Sequence, residues 1–314
     1  MTGSSNVISL NFNRIVQDWY RSLYCNVEFE EKSGKASPAF IGSLLYTDSE
    51  LQQSLKDYLI TILERVYKYQ IAFKSLLYDA EDRGMFSSSN AGYIYTKKLY
   101  STIGFIGYCE AAEFLGIKVN YNNQYVKFLQ LLLGTIDEQN KIHSIHDKKR
   151  PCIMNSEGIP GENLAVKLYN WDKNDGYVVP GDQNLYSSYF FKQWDDKISI
   201  LDKLRLHGKE IASYCSGGQA AHIHLDAHPS KEQYLKLLEF DAKNGVSYVG
   251  FNIPISECKD CGHVVNAPVE ECPICKSKNI DYWIRIIGFL RPLSSYSDAR
   301  YIEAKKRVLS HITD

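Results

Sequence analysis

The chain of 314 residues lacks any apolar run of 18 residues, and it opens on the small, polar stretch Met1 to Asn6 without a signal peptide. From these absences no membrane-spanning helix and no secretory leader are expected, and the expected location is the cytoplasm. An excess of charge is lacking too, with 36 Lys and Arg against 37 Asp and Glu and a formal net charge of −1. Without a basic field, binding to nucleic acid loses its main driving force. No internal repeat or low-complexity tract interrupts the chain, and no Walker-type Lys-Ser/Thr follows its glycine pairs, which excludes a P-loop. What is present is a 44% hydrophobic composition, enough to bury a sizeable core in one large or two modest domains. Twenty-three tyrosines are spread along the chain and read as core and interface filler.

Eight cysteines are expected to stay reduced in the cytoplasm unless they bind metal. Cys25, Cys109, Cys152 and Cys215 lie singly and read as small buried hydrophobes. The other four form two pairs, Cys258-x-x-Cys261 and Cys272-x-x-Cys275, separated by ten residues. Each pair can aim two thiolates at one tetrahedral ion, and Gly262 and Pro273 supply the tight turns of two zinc knuckles. A redox dithiol would come as one such pair near a βαβ pattern. Four protein thiolates leave no coordination position for water, so the expected zinc is structural and not hydrolytic. A nucleic-acid-binding zinc ribbon is the competing use of such a site. Glu257, Asp260, Glu270, Glu271 and Asp281 make its surroundings mixed to acidic, against that use.

Directly after the cysteines comes Tyr282-Trp283-Ile284-Arg285-Ile286-Ile287-Gly288-Phe289-Leu290, then Arg291-Pro292-Leu293-Ser294-Ser295 and a basic tail from Glu303 to Val308. By itself Gly288 reads as a bulge or a close backbone approach. The whole run resembles the C-terminal signature of the anaerobic (class III) ribonucleoside-triphosphate reductases, in which a glycine after a four-cysteine zinc site carries a stable backbone radical. Ile286 and Phe289 stand where that motif more often has Val and Tyr. A Cα radical must flatten to delocalise over the neighbouring amides, and glycine has no Cβ to resist it.

The remaining chain carries secondary support. Val7 to Ile15 alternates as a strand and leads into a helical segment with Trp19, Tyr20 and Leu23. The lead resembles the start of the second half of the family's barrel, where Asn11 matches a position suspected of touching substrate; a strand-edge Asn bonding locally is the other reading. Asp48 to Asp82 is the longest helical pattern, with Leu51, Leu55, Leu59, Ile62, Leu63, Val66, Ile71, Phe73, Leu76 and Leu77 as its apolar set. Tyr100 to Gly116 resembles the family's Ser-Thr-Ile-Gly-x-x-Gly-x-x-Glu-Ala-Ala-Glu segment. Tyr121 to Ile145 reads as a helix ended by His143 and His146, which read as a solvated polar turn and not a metal pair. Cys152 to Ala165 resembles a Glu-x-x-Pro-x-Glu element beside the substrate, which makes Glu157 and Glu162 candidates for ribose contacts or proton transfer. Charge complementarity at a helix N-terminus is their other reading. Tyr214 to Leu225 matches the family's Gly-Gly-x-x-x-His strand, where a tight strand entry competes with phosphate binding. Ser230 to Asn244 reads as a capped helix over Leu235, Leu238 and Phe240, and Val246 to Ile253 as a strand.

Alternating strands and helices from residue 7 to 253 argue an α/β chain. The resemblance implies the second half of a ten-stranded glycyl-radical-enzyme α/β barrel over 1–254, a zinc ribbon over 255–280, and the glycyl radical loop and tail over 281–314. It implies an oxygen-sensitive ribonucleoside-triphosphate reductase with zinc at Cys258, Cys261, Cys272 and Cys275 and the radical at Gly288. A separate radical-SAM activase with a 4Fe-4S cluster would generate that radical. Other implied partners are ribonucleoside triphosphates, an N-terminal half chain carrying the thiyl cysteine, and a second copy in a dimer; no nucleic acid and no membrane are expected. With that cysteine expected outside this sequence, the chain alone is expected not to turn over. A subunit that only donates the radical is the alternative.

Overall fold

The structure is a computed structural model that describes residues 3–23, 37–159, 161–180, 183–285 and 289–312. The chain divides into two compact units. One takes Met1–Lys118, Asn122–Ile159 and Glu210–Gln219, the other Val119–Tyr121, Pro160–Lys209 and Ala220–Asp314.

In the first unit β1 (Gly3–Asn11) runs directly into α1 (Phe12–Leu23). The strand expected as far as Ile15 therefore stops at Asn11. Phe12, Ile15, Val16 and Trp19 recur at helical spacing and are all buried, and the Asn11 side-chain oxygen accepts the Arg14 N–H as a helix cap does. After α2 (Pro38–Leu45) comes the 34-residue α3 (Ser49–Asp82), with Asp48 accepting the N–H groups of Glu50 and Leu51. Its end is closed by left-handed Gly84, with Gly84 N–H on Glu81 O and Met85 N–H on Ala80 O, a Schellman arrangement.

The first half of α3 buries Leu51, Leu55, Leu59 and Leu63 as its pattern requires, whereas Phe73 and Leu76 in the second half are exposed. There the buried positions are Tyr67, Gln70, Lys74 and Tyr78. Gln70 donates to Thr102 O (2.8 Å), the Lys74 ammonium to Thr96 O (2.7 Å) and Leu99 O (2.6 Å), and the Tyr78 hydroxyl to Pro151 O (2.7 Å). Polar side chains occupy this face because it meets backbone carbonyls that need donors once water is gone.

Those carbonyls belong to the segments around a parallel sheet in the order β1-β2-β3, where β2 is Leu99–Ile106 and β3 is Met154–Gly158. Gly107, at φ 82°, turns β2 into α4 (Tyr108–Phe114), a conformation that favours glycine. α5 (Asn123–His143) is capped by the Asn122 side chain on Tyr125 N–H. Of the two histidines in the expected solvated turn, His146 is exposed and His143 is half-buried. His143 stacks on Tyr67 with ring centroids 4.3 Å apart and bonds Gln139 O through Nδ1, so its flat face is used for packing.

The second unit holds α6 (Glu162–Asn174), α7 (Ile200–Leu206), β4 (Ala221–His224), α8 (Lys231–Asn244) and β5 (Val249–Asn252), with β4 and β5 parallel. Ser230 and Gln233 form a reciprocal capping box on α8. Its buried stripe is Leu237 and Asp241, one turn apart, while Leu235 and Leu238 are half exposed, contrary to the expected face. Apolar residues ring this helix, so spacing alone does not select the inner side. The unit continues with β6 (Ile255–Cys258), β7 (Val264–Val265), β8 (Ile280–Arg285) and β9 (Leu290–Pro292), an antiparallel sheet ordered β7-β6-β8-β9, and ends with α9 (Asp298–Lys306). The expected mixture of helix and parallel strand is what the chain adopts. Among the described residues no helix is long and apolar enough to cross a membrane.

Candidate functional site

The two knuckles at the β6 end of the antiparallel sheet are built alike. In each, the residue four after the first cysteine donates its N–H to that cysteine's carbonyl, Gly262 to Cys258 (2.9 Å) and Lys276 to Cys272 (3.0 Å). Both residues have positive φ, 72° and 60°. Glycine takes this conformation freely, whereas for lysine it costs about 1 kcal/mol. Asp260 braces the turns from outside, accepting from Ser277 Oγ and from Asn279 Nδ2 (2.7 Å).

The four sulfurs lie within 4.8 Å of one another, with Cys258 and Cys275 3.5 Å apart and Cys261 and Cys272 3.6 Å apart. Zinc bound tetrahedrally to thiolates at about 2.3 Å would separate neighbouring sulfurs by about 3.8 Å. The donor set fits such an ion. Among these thiols, backbone N–H groups of Cys275 and Ile274 pull Cys272 down to about 7, while against the backbone N–H of Ser277 thiol–thiol hydrogen bonds push Cys275 up to about 12, so Cys272 is the first to offer a thiolate. Cys258 and Cys272 are buried; Cys261 and Cys275 face solvent. Cys109, Cys152 and Cys215 are buried as expected, with burial pushing the Cys215 thiol up to about 12. Cys25 lies outside the described residues.

At the other end of the same sheet, β8 and β9 pair with Ile284 opposite Arg291 and Arg285 opposite Leu290. Gly288 itself, with Ile286 and Ile287, lies outside the described residues. Its described flanks are the paired ends of one hairpin, whose β8 strand also pairs along its length with the cysteine-bearing β6. Trp283 Nε1 donates to Glu257 (2.6 Å), and Asp281 accepts the Ser294 N–H (3.3 Å) and hydroxyl (2.5 Å), tying the sheet to the segment that follows it.

In the parallel sheet of the first unit, Ser9, Gly104 and Glu157 stand side by side in register across β1, β2 and β3. Adjacent strands point the same way at one level and alternate along their length, so Asn11, two residues beyond Ser9, shares a face with Glu157. Both are at the C-terminal ends of their strands, the edge where open parallel sheets take ligands. Gly104 keeps the space between them narrow, because a Cβ there would meet Ser9 Oγ at 2.8 Å and collide with Ile159. Burial raises the Glu157 pKa above its usual range. Glu162 opens α6, and its side chain lies outside the description.

The double glycine turns out to be an entry to a strand. Gly217 N–H donates to Ser156 O (2.7 Å) and accepts β3 so closely that a Cβ would meet Ser156 O and Asn155 Nδ2, both at 2.9 Å. Gly218 O receives the Gly158 N–H (3.1 Å). The pair is used up in backbone contact and not in cradling a phosphate.

One cluster was missed in the sequence. Of the stretch read as a basic tail, Glu303 and Arg307 are buried together with Arg300. Glu303 accepts from Arg300 Nη1 (2.8 Å) and from Arg307 Nη2 (2.6 Å), while Arg307 Nη1 donates to His224 Nε2 (2.5 Å). A guanidinium only donates, so Nε2 is the bare nitrogen and the ring's hydrogen is on Nδ1. Burial opposes ionisation of Glu303, but Arg307 and Arg300 outweigh it and hold the carboxyl below its usual range. Burial and then Arg307 push His224 well below the ordinary histidine range, and burial and then Arg285 take His222 down to about 4. The available signal was spacing: Arg300, Glu303 and Arg307 fall at i, i+3 and i+7, one face of a helix.

The model of the anaerobic ribonucleoside-triphosphate reductase family matches residues 1–309. The chain belongs to the anaerobic ribonucleoside-triphosphate reductase family. The anaerobic ribonucleoside-triphosphate reductases of Escherichia coli K12 and Salmonella typhimurium LT2 are each 28% identical to it over 158 residues, 49% of this chain and 20% of theirs. A solved anaerobic ribonucleotide reductase superposes with TM-score 0.78 at 24% identity, over 99% of this chain and 46% of that one. The Thermotoga maritima enzyme, solved in complex with dATP and CTP, gives TM-score 0.74 at 23% identity, over 98% of this chain and 45% of that one. These structural likenesses establish that the chain has the fold of part of an anaerobic ribonucleotide reductase. The chain spans less than half the length of those solved chains.

Proposed function

We propose that this chain is the glycyl-radical-bearing part of an anaerobic ribonucleoside-triphosphate reductase, with Gly288 as the radical site and zinc held by Cys258, Cys261, Cys272 and Cys275. The carrying observation is the convergence of four thiols on the sheet whose last hairpin leads into and out of residues 286–288. In this reading residues 1–254 belong to half of the α/β barrel, 255–280 form the ribbon, and 281–314 carry the loop and tail. Zinc bound by four thiolates would fix the course of the loop and leave no position for water. Neither a radical donor without catalysis nor a nucleic-acid ribbon is favoured, since the relatives are reductases.

A cytoplasmic radical-SAM activase would remove one Cα hydrogen from Gly288. The glycyl radical then takes the hydrogen of a cysteine thiol, and the thiyl so formed takes the ribose 3′-hydrogen. The 2′-hydroxyl leaves as water, and two electrons from a reductant such as formate or a thiol protein complete the deoxyribonucleotide. This protein's own work is positioning and exclusion of oxygen. Asn11 and Glu157, on one face at the strand ends, are proposed to bind or orient the ribose, with Glu157 favoured as a proton carrier by its raised pKa. Glu162 joins them on the resemblance alone.

The test is anaerobic activation followed by electron paramagnetic resonance. The expected spectrum is a doublet from the remaining glycyl α-hydrogen, and subsequent air should cut the chain at Gly288. Gly288→Ala should remove both and keep zinc, since the four thiols lie at 258–275, outside the substituted loop. A doublet that persists in that variant, or a cut at Gly262, rejects the assignment.

A further inference from the structure

The hairpin of β8 and β9 is held by more than its own ladder. The Tyr296 hydroxyl lies 3.3 Å from the carbonyl oxygen of Ile284 on one limb and 3.3 Å from that of Phe289 on the other. A phenol has one proton, so the two carbonyls share it, and both limbs are drawn to a single point. The ring is fixed independently of this bond. Ile284 and Leu293 form a small core against which Tyr296 packs with Tyr282, Tyr301 and Ala304, and the Arg291 guanidinium sits 4.8 Å over its face. Arg307 approaches the Arg285 carbonyl at 3.5 Å, at the long limit of a hydrogen bond, and is itself anchored on Glu303. Side chains that follow the hairpin in sequence thus fasten the strand ends on both sides of 286–288.

We propose that Tyr296 is a positioning residue, whose hydroxyl fixes the separation of the two hairpin limbs and thereby the aim of the backbone between them. Its purpose rests on the reading of Gly288 given above; the contact does not. Hydrogen-atom transfer demands near-contact geometry, and a displacement of about 1 Å costs about a hundredfold in rate. A radical site on a hairpin therefore needs its limbs held, and the phenol hydroxyl holds both.

The experiment compares Tyr296→Phe, which removes only the hydroxyl, with Tyr301→Phe, which trims the neighbouring ring of the same small core. Both are made in the full enzyme, with zinc content and far-ultraviolet circular dichroism as checks of fold. Before activation, amide exchange across 284–291 should rise about fivefold in Tyr296→Phe, the effect of one hydrogen bond, and stay at the wild-type rate in Tyr301→Phe. Exchange across 255–280 should not move. After activation, Tyr296→Phe should keep the doublet and its air-induced cut but lose tenfold or more in kcat with KM unchanged. Wild-type exchange in Tyr296→Phe, or raised exchange with wild-type kcat, overturns the proposal. Absence of a doublet in the wild-type enzyme would instead reject Gly288, and the exchange comparison would still decide whether Tyr296 holds the hairpin.

Discussion

The cysteine cluster and the Arg300–Glu303–Arg307–His224 cluster belong to the same unit and are built on opposite plans. The first draws its four members from residues 258 to 275, leaves two of them in solvent, and offers its four sulfurs to an ion from outside. The second joins β4 to α9, is buried throughout, and sets two guanidiniums against one carboxylate of its own. Local turns suffice to build the former. The latter exists only when the unit is already folded, so it reports on tertiary structure while the thiols report on metal.

The largest effect is expected where metal binding is also folding. Cys272→Ser should lose zinc, whose binding in such sites is worth about 10–16 kcal/mol, and unravel 258–279 with α9 retained. Metal analysis and amide exchange read this out, and a full zinc complement in the variant would refute the four-thiol site. Next comes Glu303→Gln. It strands two buried guanidiniums and should cost about 3–5 kcal/mol in denaturant unfolding with zinc unaffected. A loss under about 1 kcal/mol would mean that the cluster is hydrated and the contrast false.

The smallest effect is graded with pH. His207 and His222 are pushed down to about 4 from 6.5, and His224 well below 6.5, so the unfolded chain binds more protons than the folded one below pH 6.5. Their stabilisation is complete above 6.5 and is lost as pH falls toward 4. Burial raises Asp241 from 3.8 to about 6 and acts in the opposite sense over much of that window, but three histidines outweigh one carboxyl. Amide protection of 221–225 should therefore fall from pH 6.5 to 4.5, while a flat profile would show these rings to be solvated.

Legibility followed the range of the interactions. The cysteine knuckles, the Asp48 and Ser230 helix starts and the Leu51–Leu63 stripe were readable because each is settled within a few residues. Lys74 was not, because its carbonyls lie 22 and 25 residues away and nothing local marks a lysine as buried. The α9 cluster was hidden for the same reason, with Arg307 and His224 separated by 83 residues. The switch from strand to helix at Phe12 was hidden by an apolar pattern that serves both periods over so few residues. Asn11 and Glu157 were named by resemblance; that they share a face follows only from the sheet register.

Length gives α3 a further significance. At 1.5 Å per residue its 34 residues make a rod of about 51 Å, while the eight residues of β2 span about 26 Å. No strand of this sheet can support such a rod from end to end. Its middle is buried at Leu59, Leu63 and Tyr67, and two polar bearings grip it nearer its ends. Near its start, Ser54 Oγ accepts the Trp19 indole N–H from α1 (3.1 Å) and Gln52 reaches Leu45 O of α2 (2.9 Å); near its end, Lys74 and Tyr78 grip backbone at Thr96, Leu99 and Pro151. Removing one turn from the middle would draw one bearing about 5.4 Å off its seat while leaving the other in place. The helix is thus a beam of fixed span, and its tolerance to insertion or deletion is set by the distance between its supports.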